Sequence, residues 1–343
     1  MTMRKSRWSL LLIAFSWCCC TPCFEEQAVT EETLSSLVNR YPVAELLRVQ
    51  KDSIEKVMVV DSLALVFPKR LQKGAPMLRV YEIASFSKRA EFIPYGSGKG
   101  ELLQAFTTKG NGKMLLYDAV KKEIAVMDLN SMENDPSFSP SFYHTNILSQ
   151  EIIPYHDRLL FLNRYSYQGQ APRIRISDKK WNYYERSHYK CDAINVVDGS
   201  LHYNKKMDRI AFLADYEPVI ELMDKQGKLL KKIRFPHSVI EFVRVPHPDL
   251  KMEELLYPYQ DDPHFPEYCF CCADSNDDYI VGAFWQDDWR FAVMILDWDG
   301  NLVDGFLTES RVVNISFSSD SKLVYCWEEN GNDRILNVYE SRL

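Results

Sequence analysis

The chain has 343 residues, 46% of them apolar, with 13 Gly and 16 Pro, so it can bury a large core and lacks the composition of a disordered segment. Its formal charge is −7, and removing residues 1–19, which carry Arg4, Lys5 and Arg7 but no acid, takes the body to −10. That sign argues against a nucleic-acid partner, because phosphate binding needs a basic face.

The N-terminus reads as an export signal. Arg4, Lys5 and Arg7 precede an apolar run from Trp8 to Trp17, too short to span a bilayer and of the length of a signal core. Cys18, Cys19 and Cys20 follow at once, as in a lipoprotein signal, so residues 1–19 are expected to be removed and Cys20 or Cys18 to carry the lipid. Residues 20–40, with Glu25, Glu26, Glu31 and Glu32, read as a polar tether, and 41–343 as the folded body.

The body is built from short β-branched and aromatic runs broken by Asp, Asn and Gly, the pattern of antiparallel hairpins. Val43 to Gln50 is the first such run and has nothing before it to pair with. Six later runs recur at Leu78–Ile83, Glu123–Asp128, Pro172–Ser177, Pro218–Met223, Val293–Asp297 and Arg334–Tyr339. Measured on Tyr81, Met127, Ile176, Leu222, Leu296 and Val338, the steps are 46, 49, 46, 74 and 42 residues. Upstream of each lies another apolar run: Lys56–Val60, Lys113–Tyr117, Arg158–Leu162, Arg209–Leu213, Tyr279–Ala283 and Lys322–Cys326. Asp224-Lys-Gln-Gly227-Lys-Leu229 and Asp297-Trp-Asp-Gly300-Asn-Leu302 repeat one turn signature.

Six units of about forty-odd residues, each a small meander, predict an all-β, six-bladed β-propeller. One such sheet cannot bury both faces alone, and radial stacking covers each blade with the next. The last unit supplies three strands before the chain stops, so the Val43–Gln50 strand is expected to close the ring as its fourth. A pair of β-sandwich domains is the competing architecture. The long fourth step marks an inserted loop at 236–267, rich in Pro and His, with a short capped helix expected after Pro248-Asp249.

Few stretches carry recognisable chemistry. Gly96-Ser-Gly-Lys-Gly-Glu101 lacks the spacing of a phosphate loop and reads as a connection between blades. This loop, the lipoprotein-like start and the six-unit body resemble the TolB-like six-bladed propeller lipoproteins of Gram-negative gut bacteria. The match is at Gly96, Gly98, Gly100 and Glu101, with Ser97 and Lys99 where the family has Arg and Pro. The resemblance implies a lipid-anchored protein of the outer membrane and transfers no catalytic residue.

His237, His247 and His264 with Asp249, Asp261 and Asp262 lack metal-ligand spacing, and Asp274, Asp277 and Asp278 lack the remaining positions of a calcium loop. These three aspartates read as a polar turn. No cofactor and no metal is expected. Cys269-Phe-Cys271-Cys272 is too tight for a zinc knuckle; on a strand Cys269 and Cys271 share a face as buried residues, packing being favoured over a bridge. Trp285, Asp287, Asp288 and Trp289 around one turn, with Asp262 and His264 in the insertion, are the candidate ligand contacts. The expected role is a monomeric, non-enzymatic binding or scaffold protein recognising a protein or glycan through loops on one face. The alternatives are a carbohydrate-active hydrolase or lyase using turn carboxylates, and a calcium-stabilised propeller without ligand.

Overall fold

A computed structural model describes residues 24–343 except 111, 136–137, 148, 150, 163–164, 168–173, 183–193, 197–198, 237–241, 246–254, 259–268 and 288–289. The chain begins with β1 (Glu25–Ala28), α1 (Glu31–Ser35) and β2 (Ala44–Gln50). Blade one is β3 (Ile54–Val60), β4 (Leu63–Pro68), β5 (Pro76–Glu82) and β6 (Lys88–Pro94). Blade two is β7 (Phe106–Gly110), β8 (Lys113–Asp118), β9 (Glu123–Asp128) and, after α2 (Leu129–Asn134), β10 (Ser141–His144). Blade three holds β11 (Ile152–Tyr155), β12 (Arg158–Leu162) and β14 (Ile174–Ile176), with β13 (Tyr165–Tyr167) paired to β15 (Ile194–Val196) beside it.

Blade four is β16 (Gly199–Asn204), β17 (Arg209–Ala214), β18 (Val219–Asp224) and β19 (Leu229–Arg234). A hairpin of β20 (Phe242–Val245) and β21 (Leu255–Pro258) follows in the insertion. Blade five is β22 (Phe270–Ser275), β23 (Tyr279–Asp287), β24 (Arg290–Asp297) and β25 (Leu302–Thr308). Blade six is β26 (Arg311–Phe317), β27 (Leu323–Asn330) and β28 (Asp333–Glu340). The fold is a six-bladed β-propeller. Its ring closes as expected: β2 lies antiparallel on β28, from Ala44 opposite Val338 to Gln50 opposite Asp333.

The six recurrent runs are the third strands of the six blades. Their upstream partners are second strands in blades two to six, but Lys56–Val60 belongs to β3, the first strand of its blade. Two apolar runs precede Tyr81, and only the tight Asp61-Ser62 turn separates them, so the wrong one fits the pattern equally well. The expected capped helix is corrected in part, because Leu255 and Leu256 lie in β21. β-branched and aromatic runs fill the seams between blades: Ala211, Leu213 and Ile220 of blade four pack with Phe270, Phe284 and Met294 of blade five.

The tether reading is corrected for residues 25–40, which dock on the propeller. β1 runs parallel to β19, Glu25 opposite Lys231, with Glu25 paired to Lys231 and Glu26 to Arg234. Val29 and Leu34 are buried in the seam between blades four and five. Arg40 then grips Asp304 with two guanidinium bonds of 2.9 and 3.0 Å and lies 4.5 Å over the Phe306 ring. Two apolar residues and a run of edge pairing suffice to hold a segment whose composition is otherwise polar.

The repeated Asp-x-x-Gly-x-Leu stretches fold alike. The Asp297 carboxylate accepts from Asp299 N and Asn301 N at 2.9 and 2.8 Å, and Gly300 sits at φ +82°. Asp224 does the same for Gln226 N and Lys228 N, with Gly227 at φ +77°, and both turns end in a register shift. The left-handed glycine completes a turn-plus-bulge hairpin. The two glycines differ in surroundings: a Cβ on Gly300 would meet Ile233 Cδ1 at 2.8 Å, and one on Gly227 would meet nothing within 4 Å. Gly227→Ala is therefore expected to cost roughly 1–2 kcal/mol for its backbone conformation alone. Gly300→Ala should cost about 1 kcal/mol more, for crowding against blade four, in urea unfolding. Equal costs would mean that the blades separate freely at this turn.

Candidate functional site

In each blade the first strand lies innermost, and β3, β7, β11, β16, β22 and β26 surround the central channel. Strand polarity gives the ring two ends. The turns between second and third strands and the connections between blades lie at what we term the upper end. The turns between first and second strands, and between third and fourth, lie at the lower end.

Inner strands of neighbouring blades diverge too far to pair by backbone, so polar side chains tie them. Lys56 Nζ donates to Thr107 O at 3.4 Å between blades one and two, and Thr108 Oγ1 donates to Ile152 O between two and three. Glu151 accepts from Leu201 N at 2.9 Å, and His202 Nδ1 meets Ser275 Oγ at 3.1 Å. Asp274 accepts from Phe317 N at 2.8 Å, and Asn314 Nδ2 donates to Val57 O at 2.7 Å, closing the belt onto blade one. Buried backbone groups at the inner edges need partners, which is why isolated polar residues interrupt these short strands.

One contact crosses the channel instead of following it. Lys109 of blade two reaches Asp274 of blade five, on the opposite side of the ring, at 2.6 Å. Both side chains are largely buried, 17% and 5% exposed. This ion pair divides the channel. Above it lies a vestibule of about 270 Å³ lined by Lys56, Glu151, His202, Cys271, Asp274 and Asn314, among others. Below it, a second cavity of about 300 Å³ reaches the lower end past Lys109, Gly110 and Asn276.

Two groups in the vestibule keep unused bonding capacity. Among the described residues Lys56 Nζ has only the long bond to Thr107 O, and burial holds its ammonium below the usual lysine range despite the Glu151 carboxylate nearby. Among the described residues, His202 Nε2 is buried with no hydrogen-bond partner. Burial pushes the imidazole down to about 4, with the Asp274 carboxylate opposing and the Lys109 ammonium adding to the effect. His202 is thus neutral at pH 7.

That shift has a sign. The unfolded chain takes up the proton near the ordinary value of about 6.5 and the folded one only near 4, so stability falls as pH drops through that window. The full loss amounts to about 3 kcal/mol. The advantage of wild type over His202→Gln in urea unfolding is expected to shrink between pH 7 and pH 4.5. A gap that stays constant contradicts the burial of a neutral imidazole.

The sequence-derived candidates fare unevenly. Trp285 lies in β23 opposite Phe291, half-buried against the seam between blades five and six, and Asp287 stands opposite Arg290 at the upper end. Asp288, Trp289, Asp262, His264, Cys18 and Cys20 lie outside the described residues. Asp274 corrects the polar-turn reading: it belongs to β22 and faces the channel, and the turn begins at Asn276. The shared face expected for Cys269 and Cys271 is also corrected. A bulge between Phe270 and Cys272 leaves Cys269 in the seam towards blade four and turns Cys271 towards blade six.

The glycine loop encloses its own anion. Gly98 N donates to Glu101 at 2.7 Å, Gly100 stands at φ +76°, and a Cβ on Gly96 would fall 2.2 Å from Glu101 Oε2. Glu101 occupies the hollow that a bound phosphate would need, and the loop connects β6 to β7 as expected. Lys56, Lys109, Glu151 and His202 were not singled out by sequence. His202 is a polar residue between apolar ones in Leu201-His202-Tyr203, whereas Lys56 and Lys109 stand in polar stretches (Glu55-Lys56, Thr107-Thr108-Lys109) and Glu151 just precedes β11, so no local pattern sets them apart.

No family model matches the chain, and no curated protein matches it. Among solved structures, a protein of Bacteroides fragilis described as exported is similar at 10% identity and TM-score 0.51, over 93% of this chain and 99% of that one. A DUF4221 family member from Bacteroides vulgatus gives 10% identity and TM-score 0.49, over 88% of this chain and 97% of that one. A β-propeller domain from Myceliophteria thermophila gives 8% and 0.43, over 87% and 99%. At these identities the likeness speaks for the fold alone.

Proposed function

We propose that the chain is an exported envelope protein that binds a protein or glycan without transforming it, taking a protruding group of that partner into the upper vestibule. The observation that carries this reading is the convergence at one end. The vestibule, the unspent Lys56 ammonium and His202 Nε2, and the points where the 236–267 insertion leaves and rejoins the ring all belong to the upper half. Long connections at the mouth of a rigid scaffold are where binding surfaces are usually built.

Two of the three carboxylates that line the vestibule, Asp274 and Glu151 beside Glu55, support binding over sugar hydrolysis. Asp274 is committed to Lys109 and Phe317 N, and Glu151 accepts from Leu201 N, so both serve the ring. The direction of β1 supports the lipid anchor at Cys20 or Cys18. Because β1 runs parallel to β19, its first residue, Glu25, stands at the end of β1 nearer the lower end, where the 225–228 turn lies. A membrane anchor there leaves the vestibule facing away from the bilayer. The glycine loop supports a TolB-like origin, and the protein acts as a monomer at the outer membrane.

Photo-cross-linkers placed on membrane-bound protein test this reading. Exposed Lys99 and Asn332 mark the upper end, Asp299 and Asp320 the lower. Adducts to a single partner from the upper positions are expected. Adducts confined to Asp299 and Asp320 overturn the assignment.

A further inference from the structure

We propose that Cys271 and Cys272 form a redox-active vicinal dithiol on the vestibule wall, which a low-molecular-weight disulfide converts into a bond between the two neighbours. Consecutive residues of a regular strand point to opposite faces and cannot pair. Here the bulge changes that. Phe270 stands opposite Phe284 and Cys272 opposite Ala283, which leaves Cys271 as the extra residue. Cys269 and Phe270 pack towards blade four, whereas Cys271 and Cys272 both join the seam towards blade six. Their sulfurs lie 3.9 Å apart, and both residues line the 270 Å³ vestibule.

Neighbouring thiols do not compete equally. Cys326 belongs to the same seam but is 0% exposed, and Cys269 is equally buried towards blade four. Cys271 is the half-buried one, its thiol donating to Val312 O at 3.1 Å and Ala283 O at 3.4 Å. It is the sulfur an oxidant entering the vestibule meets first.

The chemistry balances in two exchanges. The Cys271 thiolate attacks one sulfur of the oxidant, forming a mixed disulfide and releasing one thiol. Cys272, losing its proton to water, attacks Cys271 Sγ and releases the second thiol. Two electrons and two protons pass from the cysteine pair to the oxidant, whose S–S bond becomes two thiols. Burial holds the Cys272 thiol well above the ordinary thiol range, which makes the second exchange the slow one. The ring closes when the sulfurs rotate from 3.9 Å to bonding distance, about 2.05 Å. The product loses the Cys271 thiol donor that tied blade five to Val312 O.

The test incubates the purified protein with oxidised glutathione, alkylates it under denaturing conditions and maps the peptides by mass. The expected product is a 271–272 disulfide, two hydrogens lighter, with Cys269 and Cys326 alkylated. In Cys272→Ser the resolving sulfur is gone, and a stable glutathione adduct at Cys271 is expected instead. Alkylation of both Cys271 and Cys272 in wild type, a persistent adduct there, or a Cys271–Cys326 bond overturns the proposal. Should Cys272→Ser not fold, the wild-type map decides alone.

Discussion

Replacing Asp274 by alanine is expected to lower the unfolding free energy by roughly 3–5 kcal/mol, the range for removing one partner of a buried ion pair. Two losses combine. Lys109, only 17% exposed, keeps its ammonium in the channel without its counter-charge, and the buried Phe317 N–H loses its acceptor. Lys109→Met should cost less, because Asp274 keeps the Phe317 bond. The double variant should cost less than the sum of the two, since each change removes the same pair. Urea unfolding of the four proteins reads this directly. A cost under about 1 kcal/mol for Asp274→Ala would mean that water fills the channel and screens the pair, as at a protein surface.

Truncation through Gln50 is expected to abolish the single cooperative unfolding transition altogether, whereas truncation through Arg40 should only lower it. Residues 25–40 bury Val29 and Leu34 and pair Arg40 with Asp304, contributions that add to roughly 3–5 kcal/mol before the ordering of the segment is subtracted. β2 does something different in kind. Without it, β28 loses its partner from Asp333 to Val338, and the seam formed by Leu336 and Val338 loses the cover of Leu46, Leu47 and Val49. Blades six and one are then held only by side chains, and β28 becomes a bare edge open to aggregation. Calorimetry of both truncations separates the effects. A Gln50 truncation that melts as one transition near the full-length temperature would show that the ring does not depend on its closing strand.

What could be read in advance follows from where the signal sits. Third strands such as Val293–Asp297 are apolar on both faces because neighbouring blades cover them, so they stand out even from a single sequence. The closing strand was legible by its lack of any earlier partner. The channel was not. Lys109 and Asp274 are 165 residues apart in the chain and meet only because blades two and five face each other across a closed ring. Asp274 was also hidden among Asn276, Asp277 and Asp278, where a strand residue looks like the first residue of a turn. The bulge at Cys271 shifts the strand by one residue, and no composition signals it. The docking of residues 25–40 escaped because pairing with β19, some two hundred residues downstream, leaves no local periodicity. The candidates around Trp285 lie at the upper end of the ring, at the turn between β23 and β24.

The most direct test of the vestibule as the binding site is a thermal-shift screen of glycans and peptides on three proteins: wild type, Lys56→Met and Lys206→Ala. Lys56 lines the vestibule, and Lys206 lies in the β16–β17 turn at the lower end. A ligand that raises the wild-type melting temperature should bind Lys56→Met on the order of tenfold more weakly, the loss of a charged hydrogen bond, and Lys206→Ala unchanged. A shift that survives intact in Lys56→Met and vanishes in Lys206→Ala would place binding at the other end of the ring and contradict the account.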